Sequence, residues 1–256
     1  MNGAFDIAAI GLRAQRNALD ILANNIANIN TPSFKRSDVH FSEMVTRRAD
    51  SGVASANLTA PPSLASAHAD ARMMLDVQGE IVSTGEALDL AINGQGFIEL
   101  MGPRGQTFLW RGGALEVGED GYLSGPDGMA LAAMIAVPDG AFDLSISPEG
   151  AVSAHVSGQD EAVTLGQISL VALNNPSAVE RGDGGLYALH DPGAVSDISR
   201  AQGDTSVFVQ GAIERSNVEL SSEMIQLMIV QRAFAANAQV VQAADQIMAI
   251  ANTLRR

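Results

Sequence analysis

Apolar residues recur three and four apart at the start of the chain: Phe5, Ala8, Leu12, Leu19, Leu22, Ile26 and Ile29, with Gln15 as the polar interruption. A seam kept over about three and a half heptads predicts a helix that lies along another helix. Pro32 disfavours helical geometry at Thr31, so the helix is expected to stop near Asn28 to Asn30. At the other end, no glycine or proline interrupts the stretch from Asn217 to Leu254, which predicts the longest helix of the chain. Its length of about 33 residues makes a rod of roughly 50 Å. Ser221 is the expected N-cap, Leu220 and Ile225 a hydrophobic staple, and Glu223 a first-turn carboxylate suited to the helix dipole. One apolar face runs Met224, Leu227, Gln231, Phe234, Ala238 and Val241. A second runs Val240, Ala243, Ile247, Ile250 and Leu254, and Met228, Ile229 and Val230 fill much of the remaining circumference near the start. A helix apolar on several sides requires several neighbours. The two ends can cover one face of each other, which leaves further apolar faces for other subunits.

Between the helices the period changes. Turn signals recur at Asn93-Gly94, Pro103 to Gly105, Glu119 to Gly121, Pro126 to Gly128, Pro138 to Gly140 and Pro148 to Gly150. Short runs such as "ALDLAI", "FIEL", "TFLW", "MALAAMIAV", "FDLSI", "AVSAHV" and "QISLVAL" lie between them. This rhythm predicts short antiparallel strands. Residues 47–75, rich in Ala, Ser and Pro, read as extended or flexible. The expected fold class is α+β: N- and C-terminal helices forming a coiled-coil core, with a central all-β domain of short antiparallel strands. The expected divisions are a helical assembly domain of 1–35 and 213–256, an extended connector of 36–80, and a β-rich outer domain of 81–212.

Charge follows the same partition. The net charge of −14 lies almost wholly in residues 76–220, which carry 5 basic and 21 acidic groups, while both ends are close to neutral. An acidic surface repels phosphate backbones, so nucleic acid is not an expected partner. No run of about 18 apolar residues exists, so membrane insertion is not expected. The first residues lack a basic segment, and Arg13 and Arg16 interrupt the apolar stretch, which argues against a cleaved signal peptide.

The search for chemistry yields little. There is no cysteine, and His40, His68, His155 and His190 are scattered without ligand spacing, so no metal site is expected. "GPRGQT" lacks the lysine of a phosphate loop, and "NGQGF" lacks the third glycine and following helix of a dinucleotide fingerprint. "DGYLSGPDG" has no closing carboxylate for calcium, and no Gly-x-Ser-x-Gly elbow appears. Neither an enzyme nor a cofactor is expected.

Four segments, in order, carry a resemblance. "ANNIANINTPSFKR" (23–36) resembles the N-terminal signature of the flagellar rod and hook protein family. "LDLAINGQGFIEL" (88–100) and "WRGGALEVGEDGYL" (110–123) resemble conserved parts of its β-domain. "VQGAIERSNVELSSEMIQLMIVQRAFAANAQVVQAADQIM" (209–248) is similar to its C-terminal helix almost throughout. Two residues depart from the pattern. Ser33 stands where the family usually has glycine, which leaves open the left-handed backbone there but not the turn. Leu115 replaces a common aromatic, which would thin that part of the β-core.

The resemblance implies a structural subunit that polymerises helically into the axial, torque-transmitting part of the flagellar basal body, exported through the flagellar type III apparatus without a cleaved signal. Implied partners are further copies of itself, other rod and hook subunits, the export apparatus and the surrounding ring proteins. Hook subunits carry an extra outer domain, for which this chain has no room, so the likeness is to the rod members, to the distal rod subunit first and to the proximal rod subunit of similar length second. The implied assembly interface comprises Leu12, Leu19, Leu22, Asn24, Asn25, Ile26, Asn28 and Ile29 with Met224, Leu227, Met228, Gln231, Phe234, Val241, Ile247 and Ile250. The motif turns are Thr31, Pro32, Ser33 and Phe34, and Asn93, Gly94 and Gly96. The asparagine amides both donate and accept, so they suit register-setting between chains, or helix termination in solvent. A soluble adaptor that closes into a dimer through its helices is the competing reading.

Overall fold

The computed structural model describes residues 2–44, 66–158, 161–182, 184–198 and 206–254. The fold is α+β, with a helix at each end and a β-rich middle. The chain divides into two compact units.

The first unit holds α1 (Asn2–Ala27), α2 (Leu220–Leu254) and an antiparallel ladder of Ser37–Met44 with Ser66–Met73. The α1 helix ends at Ala27, just before the asparagine and proline signals, and residues 28–30 continue as turn. The α2 helix begins two residues earlier than expected, so Ser221 lies inside it and its hydroxyl donates to Glu219 Oε1 (3.2 Å). Leu220 and Ile225 are 45% and 55% exposed and form no staple. The ladder, which pairs Ser37 with Met73 and Met44 with Ser66, occupies both ends of the stretch expected to be a connector. Its second strand, "SAHADARM", alternates small and charged residues and has almost none of the β-branched or aromatic character that marks a strand. Residues 45–65, which carry most of the Ala, Ser and Pro signal, lie outside the described residues.

The second unit comprises residues 28–36 and 74–218. Its main sheet has seven strands in the order Val179–Arg181, Leu186–Leu189, Thr107–Trp110, Ile98–Met101, Ala130–Leu131, Leu123–Ser124, Glu116–Val117, all antiparallel. A three-stranded sheet joins Val207–Gln210, Asp89–Asn93 and Gly112–Ala114, and Ala212–Glu214 pairs with Ile81–Ser83. Another three-stranded sheet is formed by Ala141–Ile146, Ala151–Val156 and Val163–Gln167. Leu90, Ile92, Ile98, Leu100 and Trp110 lie at the centre of the core. Each such side chain contributes about 1.5–3 kcal/mol through burial. Leu115 is 2% exposed and packs in the same cluster, so the core closes around leucine at the aromatic position.

The turn glycines Gly94, Gly105, Gly121, Gly128, Gly140 and Gly150 all have positive φ, as their hairpin roles demand. Apolar runs were less exact guides. Only Ala130–Leu131 of "MALAAMIAV" is strand, and Met134 turns the chain with φ 46°. An apolar run reports burial, and burial does not require a ladder.

Candidate functional site

In the first unit, the chemistry is that of helix faces. Among the residues of α1 whose side chains are described, Ala8, Ala14, Ala18, Leu22 and Asn25 are buried. The seam is therefore rotated by about one residue from the one that the leucines indicate; Leu12, Leu19 and Ile26 flank it, half-buried. Small residues decide this. At Gly11 a Cβ would stand 2.8 Å from Asn237 Nδ2, so α1 and α2 approach where α1 has least bulk. On α2 the covered side runs through Glu223, Gln226, Val230, Ala233, Asn237, Val241 and Ala244, again at heptad spacing.

Much of the rest of α2 is open among the described residues. Met224, Met228, Phe234, Ile247 and Ile250 are 40–59% exposed, Gln231 is exposed, and Leu227 and Val241 are half-buried. At 3.6 residues per turn, Ile225, Ile229, Ala236, Val240, Ala243, Ile247 and Ile250 form one stripe along the helix. Every one of them is exposed, the five larger side chains by 50–60%.

The asparagines separate by role. Asn24 is exposed. Asn25 is 0% exposed: its Nδ2 donates to Ser37 O (2.8 Å) and Glu223 Oε2 (3.1 Å), and its Oδ1 accepts from Ser37 N (2.9 Å). Its amide is thus engaged within its own chain, fastening the end of α1 to the start of α2 and to the first ladder strand. Asn28 caps a local turn, accepting from Thr31 N (3.1 Å) and Thr31 Oγ1 (3.1 Å), and Ile29 is half-buried.

In the second unit the motif turns converge on a buried charge cluster. Pro32 is exposed, while Ser33 and Phe34 are buried. Ser33 adopts φ 58°, so the left-handed geometry survives without glycine. Its N–H donates to Glu214 O (2.8 Å) and its hydroxyl to Gly112 O (2.8 Å). Gly112 itself, at φ 95°, leaves no room for a Cβ, which would meet Leu90 O at 2.3 Å.

Lys35, Arg111 and Glu214 are at most 2% exposed. Glu214 Oε1 accepts from Lys35 Nζ (2.5 Å) and Gly79 N (2.7 Å), and Oε2 from Arg111 Nε (3.2 Å) and its terminal nitrogen (3.1 Å). Lys35 also donates to Val77 O (2.8 Å). Arg111 donates to Gly96 O (2.7 Å) and Gly94 O (2.9 Å), which fixes the turn after Asn93, and lies 5.6 Å from the Phe97 ring centroid. The Arg181 guanidinium covers the Phe34 ring at 4.3 Å and donates to Lys35 O.

Burial, and then the Arg111 charge, hold the Lys35 ammonium below its ordinary pKa, and Glu214 opposes both. Burial pushes the neighbouring Tyr187 hydroxyl up to about 12. The sequence reading missed this triad. Its only signal was single charges set among apolar and glycine residues, in "SFKR", "WRGG" and "AIER".

Among the described residues, no group of three or more His, Asp or Glu side chains is placed to hold a metal ion. A cavity of about 400 Å³ is lined by Glu149, Gln167, Asp197, Ser206 and Phe208. No helix among the described residues is long and apolar enough to cross a membrane.

Comparison with known proteins agrees with the resemblance at every segment. Residues 5–35 match the family described as flagella basal body rod protein. Residues 91–154 match the flagellar hook protein FlgE/F/G D1 domain, and residues 209–254 the flagellar basal body rod FlgEFG protein C-terminal family. The chain is 31% identical to the flagellar basal-body rod protein FlgG of Caulobacter vibrioides, over 98% of this chain and 99% of that protein. It is also 31% identical to FlgG of Agrobacterium fabrum, over 96% and 97%, and 29% identical to FlgG of Bacillus subtilis, over 96% of each. With such likeness over nearly its whole length, the chain belongs to the flagellar basal-body rod protein family, as a rod structural subunit.

Proposed function

We propose that the chain occupies the distal rod, polymerises helically through its terminal helices, and acts mechanically as part of the shaft that carries torque to the hook. The observation that carries this reading is the exposed stripe on α2. One side of the helix is covered by its own chain, and a second, equally long side has no cover among the described residues. An apolar stripe roughly 40 Å long is costly in water and is buried when further copies pack beside it. A heterologous contact that does not close gives a filament rather than a ring.

In the polymer, α1 and α2 form a coiled-coil core. Met224, Met228, Gln231, Phe234, Ile247 and Ile250 face other subunits, joined on α1 by the exposed Asn24. Leu22 and Asn25, spent inside the chain, support that surface from behind. Stiffness comes from close packing on several sides and not from any single bond. The work is non-catalytic. Rod and hook subunits are its neighbours in the basal body; the type III export apparatus, with no cleaved signal, and the surrounding ring proteins complete the proposed partners. Relatives of matching length that share the FlgG name support the distal position.

The test is the double variant Ile229→Asp/Ile247→Asp, expressed in a strain lacking the wild-type gene. Basal bodies should show rods ending short of the hook, while the purified variant keeps its folded β-rich unit. Full-length rods built from the variant would refute the reading, as would a wild-type chain that stays a discrete dimer at every concentration.

A further inference from the structure

We propose that the turn formed by residues 28–36 is held by a charge latch that closes only when Glu214 arrives, so that a residue near the C-terminal helix sets the fold of the N-terminal motif. The latch is the triad of Lys35, Arg111 and Glu214, all within one compact unit. It brings one carboxylate between two cations, with every member at most 2% exposed. Both oxygens of Glu214 are engaged, and together they accept four hydrogen bonds. The main chain of the same residue accepts the N–H of Ser33 (2.8 Å). The turn is thus bound to Glu214 at two points, through Ser33 and through Lys35.

The sequence distances give the latch its order. Glu214 is 179 residues from Lys35 and 103 from Arg111. Lys35 and Arg111 can be made, and their segments can collapse, before Glu214 exists. Two buried cations without a carboxylate between them are strongly unfavourable, since removing one member of a buried cluster leaves uncompensated charge. Until strand Ala212–Glu214 pairs with Ile81–Ser83, docking Lys35 beside Arg111 is therefore opposed. Once the strand is in place, docking is favoured by the ion pairs and by the Ser33 bond. The remaining charged groups around Lys35 do not replace Glu214: Asp76 is the weakest influence on it, and Arg181 is a further cation against its carbonyl. The turn is consequently a two-state element, docked or open, with Glu214 deciding between the states.

Hydrogen exchange on the full-length chain tests this. In Glu214→Gln, amides of residues 28–36 and 77–80 should exchange at least about tenfold faster, while those of Ile98–Met101 and Leu186–Leu189 keep their protection. In Lys35→Met/Glu214→Gln, one buried cation is gone, so protection of the turn should return in part. If the single variant does not fold, the double variant should. The latch is overturned if the turn in Glu214→Gln exchanges as in the wild type, if turn and sheet lose protection together in the double variant as well, or if the double variant is less protected than the single one.

Discussion

Ser33 sits at φ 58°, a conformation that costs a non-glycine residue on the order of 1 kcal/mol. Two hydrogen bonds, one from its N–H and one from its hydroxyl, offset that cost, and glycine could supply only the first. A residue type that looked like a departure thus carries a bond that its usual counterpart lacks. Tyr187 shows burial acting on a proton. Its hydroxyl moves from an ordinary 10.0 to about 12. Between those values the folded chain keeps a proton that the unfolded chain has released, so stability falls as pH rises through that window, by up to about 3 kcal/mol. Lys35 acts in the opposite sense. Its pKa lies below the ordinary 10.5, so stability rises with pH as the unfolded chain approaches that value. Denaturant midpoints measured across alkaline pH should therefore drop above pH 10 in the wild type, and Tyr187→Phe should remove most of that drop.

At the scale of elements, the two helices were legible and the seam between them was only partly so. Leucine spacing placed α1 correctly but pointed its face about one residue away from Gly11, Ala14 and Ala18. Hydrophobicity marks the bulky positions, whereas the closest approach of two helices selects small ones, which carry little signal. The ladder of Ser37–Met44 and Ser66–Met73 was invisible for a related reason, because its second strand is made of small and charged residues. The triad was hidden by separation, since no local pattern links residue 35 to residue 214. Gly11→Leu should part the helices. The far-UV helical transition should move to lower temperature, equivalent to a loss of about 2 kcal/mol or more. Fluorescence of Trp110, the chain's only tryptophan and a core residue of the other unit, should keep its own transition.

For the whole molecule, composition and order set the broad answer. Near-neutral ends flank a middle in which acidic groups outnumber basic ones by 21 to 5, so attraction and repulsion are assigned to different parts of the chain. Like charges on neighbouring copies oppose packing at low ionic strength, and salt shortens their reach to about 8 Å at 0.15 M. Light scattering from the purified chain should accordingly rise as salt increases from roughly 0.02 M to 0.5 M. A decrease over that range would mean that ion pairs, and not apolar contact, join the copies.

A side-by-side contact along the open side of α2 has one mechanical weakness. Its bumps repeat about every 5.4 Å, so a neighbour shifted by one turn meets almost the same landscape and could slide. Arg232 breaks the repeat, standing exposed between Ile229 and Ala236 on that same side. In the proposed side-by-side contact, a charged, bulky side chain in the middle of a greasy rail would work as a detent, fitting at one setting and jamming at the next. In the proposed polymer, a shaft built on such rails would be stiff in bending because the rails are long, and would resist axial creep because each has a notch.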